Sequence, residues 1–154
     1  MSKIQHLRFE SRLRTSPGTL WQWITSVQGI STEMRPWFRM TTPAHIASLT
    51  DLHFTPGEPL FHSRLLLGGV LPVDYSDLTL LEITPGQGFV EQSPMGSMRL
   101  WRHVRRIVSE ADGVVRLVDE LSFEPWFAGT LSRWFVQAFF RHRHAVLRRN
   151  FKQA

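Results

Sequence analysis

The chain has 154 residues, enough for one domain that buries a self-sufficient core but cramped for two. Its 42% hydrophobic and 20% charged residues exclude a wholly disordered chain, and the absence of cysteine excludes disulfide scaffolds, thiolate metal sites and cysteine nucleophiles. The net charge of +5 leaves phosphates and anionic lipids open as partners, although a solvated arginine-rich helix face accounts for it equally well.

Residues 4–14 alternate as a strand, with Leu7, Phe9, Ser11 and Leu13 on the face expected to be buried. Ser16 and Pro17 form a helix start, followed by Leu20, Trp23, Ile24 and Val27 on one face, and Gly29 is expected to end the helix. A second short helix, broken at Pro36, is expected over residues 31–38. After a polar stretch with a turn at Thr55-Pro56-Gly57-Glu58, strands are expected over 60–67, 73–83, 88–92, 98–109 and 114–123. Gly68-Gly69, Thr84-Pro85-Gly86, Ser93-Pro94-Met95-Gly96 and Ala111-Asp112-Gly113 separate them, so neighbours should pair antiparallel as a meander. Residues 129–151 read as one long helix with two adjoining apolar stripes, Phe135, Phe139 and Val146 beside Val136, Phe140, Leu147 and Phe151. So wide a stripe needs a large apolar partner, and the concave face of the sheet is the one available. The expected architecture is α+β: a curved antiparallel sheet wrapped around a long C-terminal helix, with two short helices after the first strand, as a single domain over 1–154.

The segment Gly29-Ile30-Ser31-Thr32-Glu33-Met34-Arg35-Pro36-Trp37-Phe38-Arg39-Met40 resembles the stretch after the first helix of bacterial SRPBCC proteins, through Glu33, Pro36, Arg39 and Met40. Trp101-Arg102-His103, Asp119 to Pro125, and Phe140 to Leu147 are similar to the fifth strand, the sixth strand and the last helix of the same proteins. The resemblance covers nearly the whole chain. It implies the helix-grip fold of START domains, the birch pollen allergen and polyketide cyclases, with a cavity for an apolar small molecule or lipid. Related cyclase-like chains often carry a second histidine where this chain has Arg105, so a His-His pair does not transfer.

A hairpin turning at 111–113 places His103 opposite Asp119, with Trp101, His103, Arg105 and Ile107 sharing an inward face with Val115, Leu117, Asp119, Leu121 and Phe123. His103 and Asp119 then serve either as acid and base on an enolisable substrate or as a buried polar pair satisfied by each other and Arg105. Candidate ligand-binding residues are Trp101, His103, Arg105, Tyr75, Leu117, Asp119, Leu121, Phe123, Trp37 and Phe139. Glu33, Arg35 and Arg39 are expected near the cavity mouth, as a salt bridge or a gate. His142 and His144 stand two apart on a helix and cannot share one metal ion, so no metal is expected, and no cofactor motif is present. Arg141, Arg143, Arg148, Arg149 and Lys152 offer a basic helix face for an interaction partner, but no stacking aromatics accompany them and nucleic acid is not expected.

Three functions follow: an apolar-ligand binder or carrier, a cyclase or dehydratase-like enzyme using His103 and Asp119, or an interaction module using the last helix. The residues from Met1 to Arg14 carry charges throughout, and no uninterrupted apolar run is long enough to span a bilayer. The expectation is a cytosolic, cytoplasmic protein.

Overall fold

The computed structural model describes residues 3–152. Strand β1 (Gln5–Arg14) leads into helices α1 (Pro17–Thr25) and α2 (Val27–Met34), then a short strand β2 (Phe38–Met40). Strands β3 (Pro59–Leu67), β4 (Leu71–Thr84), β5 (Gly88–Gln92), β6 (Met98–Ala111) and β7 (Val114–Pro125) follow as a meander, and α3 (Gly129–Phe151) closes the chain. All pair antiparallel in one curled seven-stranded sheet of order β1-β7-β6-β5-β4-β3-β2. This is the α+β helix-grip arrangement, with α3 against the concave face.

Gly29 does not end α1. The Ser26 amide donates to the Gln22 and Trp23 carbonyls as the cap of α1, while its hydroxyl accepts from Gly29 N at 2.9 Å as the N-cap of α2. Gly29 lies inside α2 because a Cβ there would meet the Trp23 carbonyl oxygen at 2.1 Å, so only glycine lets the two helices sit this close. Helix α2 stops before Pro36, and the residues read as its continuation instead extend into β2, pairing with β3 through Phe38 and Leu67. The segments matched to the fifth and sixth strands are therefore β6 and β7.

Two apolar clusters form the part of the core nearest the site. Leu13, Leu20, Ile24, Ile107, Val115, Leu117 and Leu147 form one; Leu121, Phe123, Val136 and Phe140 form the other. Phe140 stacks on Phe9 at 5.7 Å between ring centroids and also meets Trp101, His103 and Phe139. Phe140→Ala is expected to cost about 3–5 kcal/mol, read as a fall in the urea midpoint at constant m-value.

The β6–β7 register differs from the sequence expectation. Ala111 pairs with Val114 around a two-residue turn, and a bulge at Glu110 restores alternation, so that His103 faces Leu121 and Arg105 faces Asp119. The offset from the expected pairing is two residues. Because strand side chains alternate with period two, every residue keeps its face while its cross-strand partner changes.

Candidate functional site

Between the two apolar clusters runs a thin polar layer. Each element crossing the core contributes to it from an otherwise apolar face: Ser11 of β1, Arg105 and His103 of β6, Asp119 of β7, Arg143 and His144 of α3, and Glu33 of α2. All are buried, Glu33, Arg105 and Asp119 completely.

Arg105 is the hub. Its Nη1 and Nη2 donate to the two oxygens of Glu33 at 3.1 and 2.7 Å, and its Nε and Nη2 donate to the two oxygens of Asp119 at 2.8 and 3.2 Å. Glu33 also accepts from Trp23 Nε1 at 3.0 Å and Arg143 Nε at 3.1 Å. Asp119 also accepts from His103 Nε2 at 2.6 Å and His144 Nε2 at 2.7 Å. Each carboxylate thereby fills its roughly four acceptor positions, which is what lets two anions survive in the core. Behind them, Ser11 Oγ lies 2.7 Å from His144 Nδ1 and accepts from Arg148 at 3.1 Å.

The protonation states follow. Burial opposes ionisation of Asp119, but the charge of Arg105 and the proximity of His103 outweigh it and hold the carboxyl well below its usual range; Arg105 and Arg143 do the same for Glu33, more weakly. Burial also disfavours charge on His103, yet the Asp119 carboxylate and Glu91, whose Oε1 is 3.6 Å from Nδ1, raise its pKa above the ordinary value. Arg143 shows the opposite balance. Burial lowers its pKa, and the charge of Glu33 offsets this only in part.

The polar layer forms one wall of a pocket of about 560 Å³ bounded by the concave sheet, α2 and α3. His103, Arg105, Arg143 and Glu91 reach that wall, and the rest of the lining is mainly apolar, including Met34, Phe38, Leu80, Phe89, Trp101 and Phe139. Leu67, Val73, Leu131 and Phe135 also line it while remaining substantially exposed, and they mark its mouth. Ser76 Oγ, buried on the inward face of β4, has no hydrogen-bond partner among the described residues.

Of the expected ligand-binding residues, Trp101, His103, Arg105 and Phe139 line this pocket. Leu117, Leu121 and Phe123 point inward but pack into the core clusters, and Asp119 lies behind the wall, enclosed by its donors. Tyr75 stands on the outer face of β4, 42% exposed and stacked on His62, because the even-numbered neighbours Asp74, Ser76, Leu78 and Leu80 take the inward positions. Trp37 is 55% exposed and meets the edge of His142 outside the pocket.

Glu33 is not at the mouth with Arg35 and Arg39, which are exposed. It faces the core, and its cationic partners are Arg105 and Arg143. Arg143 leaves the expected basic face of α3 for the same reason. Helical spacing of three and four from Phe140 puts Arg143 and His144 on the buried stripe, the one signal in the sequence that marks them. His142 turns the other way and donates from Nε2 to the Arg35 carbonyl at 2.6 Å.

A family model described as a domain of unknown function, DUF8410, matches residues 11–151. No curated protein matches the chain. Among solved structures, a START superfamily protein from Mycobacterium smegmatis superposes with a TM-score of 0.68 at 10% identity, covering 96% of this chain and 97% of that one. A protein from Chromobacterium violaceum gives 0.66 at 13% identity over 92% and 96% of the two chains. The Zhui aromatase/cyclase of Streptomyces sp. R1128 gives 0.64 at 9% identity over 94% and 88%. At such identities these likenesses carry the fold alone, a START-like helix-grip arrangement. Among the described residues no helix is long and apolar enough to cross a membrane.

Proposed function

Since the chain belongs to the DUF8410 family and has a START-like helix-grip fold, we propose that it binds, as a receptor or carrier, a mostly apolar small molecule or lipid in the pocket between the sheet and α3. The observation that carries this reading is the pocket itself: about 560 Å³, in the range of small-molecule sites, with a mainly apolar lining and a few polar groups gathered on one wall. The expected result is a small molecule that travels with the purified protein in native mass spectrometry and is lost on denaturation. A protein that carries no such mass and also takes up no apolar fluorescent probe would overturn the reading.

A second reading, acid-base catalysis of the cyclase or dehydratase type, is favoured by one observation: His103 reaches the pocket wall while bonded to Asp119 at 2.6 Å. The geometry weighs against it. Asp119 is saturated by its four hydrogen-bond donors and sits behind the wall, so it has no open lone pair with which to take a proton from a ligand. On the binding reading His103 orients the wall, and His103→Ala lowers stability more than ligand uptake; on the catalytic reading it abolishes turnover in a folded protein.

A further inference from the structure

Arg143 is the least satisfied charge in the pocket wall. It is 9% exposed, yet its only hydrogen bond among the described residues is from Nε to Glu33. Its guanidinium lies 5.0 Å from the centre of the Phe140 ring, and the residue lines the pocket, leaving Nη1 and Nη2 without an acceptor among the described residues. Arg105 beside it is committed to Glu33 and Asp119 through Nε, Nη1 and Nη2. Glu91, the acidic group on the same wall, is turned to Ser93 at 2.7 Å and to His103.

From this geometry, and resting on the small-molecule reading above, we propose that the ligand is an apolar carboxylic acid that enters acid end first and accepts a paired hydrogen bond from Nη1 and Nη2 of Arg143. A guanidinium with two free parallel donors matches the two oxygens of a carboxylate, and the match is strongest where water is excluded. The depressed pKa of Arg143 agrees: a buried cation whose one hydrogen-bonded carboxylate is shared with Arg105 gains from a further anion. Glu33, Asp119 and Glu91 already answer the cations of this wall, so every negative charge a ligand brings is opposed; a carboxylate brings one where a doubly charged phosphate would bring two.

Position on the helix sets the orientation. Leu131, at the exposed mouth, and Arg143 are twelve residues apart on α3, about 18 Å along the axis, so the acid binds at the inner end and the apolar body extends toward the mouth.

The test compares cis-parinaric acid with its methyl ester, and 1-pyrenebutyric acid with its methyl ester, by fluorescence titration of the intact protein. The expected result is that at least one acid binds about tenfold or more tightly than its ester, that Arg143→Gln removes the difference, and that Arg143→Lys keeps part of it. Glu33 retains the donors Arg105 and Trp23 in Arg143→Gln, so the variant is expected to fold, and its melting temperature checks this. A second readout needs no variant. The carbon-13 carboxyl signal of a bound labelled acid should titrate below the pH at which the same acid titrates free in buffer. Equal binding of acid and ester, or a bound carboxyl that titrates at or above its free value, overturns the assignment while leaving an apolar-ligand site intact; failure of all four probes to bind overturns both.

Discussion

Arg105→Leu is expected to destabilise the protein by about 3–5 kcal/mol, a large fraction of the roughly 5–15 kcal/mol that holds a domain of this size together. The reason is the pair it strands. Glu33 and Asp119 are both completely buried, and each receives two of its four hydrogen bonds from this one guanidinium. Without it Glu33 keeps Trp23 and Arg143, and Asp119 keeps two histidines, so two carboxylates lose the central cation that makes their ionisation tolerable. Urea denaturation measures the loss. The variant Arg105→Leu/Glu33→Gln/Asp119→Asn, which removes the charges together, should recover much of it, because replacing a whole buried ionic group is far less damaging than breaking one. A loss below about 1 kcal/mol in Arg105→Leu would show that water reaches the layer and that the carboxylates are not desolvated.

The same groups give stability a two-sided pH dependence. Glu33 and Asp119 have folded pKa values below their ordinary 4.5 and 3.8, so their contribution is complete above those values and is lost as pH falls through the folded ones. His103 runs the other way: its folded pKa lies above the ordinary 6.5, so its contribution is complete below 6.5 and is lost as pH rises through the folded value. Maximum stability is therefore expected between about 4.5 and 6.5, with a steep acid limb and a shallower decline above 6.5. Each tenfold change in a proton affinity between the unfolded and folded chain is worth about 1.4 kcal/mol. Unfolding free energies across the pH range test this. In His103→Gln the decline above 6.5 should disappear while the acid limb remains; a variant that keeps the full upper limb would assign that limb to another group.

Much of this architecture is legible in local pattern. The bounds of α3 and β5, the turns of the meander and the inward faces of β1, β6 and β7 all follow from periodicity and from Gly, Pro and Asp punctuation, which act within a few residues. Period two also explains why the inward placement of His103, Arg105 and Asp119 survives a register error of two residues. Where local pattern misleads, the deciding contact is distant. Gly29 resembles a helix end because nothing beside it in sequence reveals the Trp23 carbonyl it must clear, and β2 is a strand through its pairing with β3. Tyr75 and its neighbours on β4 lack a clear apolar alternation, so the outward face of this strand is set by the strands it pairs with.

The polar layer marks the same boundary most clearly. That one or two charged or polar residues interrupt the apolar faces of β1, β6, β7 and α3 is already written in the residue order, because face membership depends only on spacing along one element. Folding in three dimensions adds the rest: these interruptions fall at one level, Glu33 of α2 enters the layer 72 positions away from Arg105, and Arg143 keeps Nη1 and Nη2 without an acceptor among the described residues. A buried charge is set by the partners that surround it, and those partners come from elements brought together only when the sheet closes around its helix.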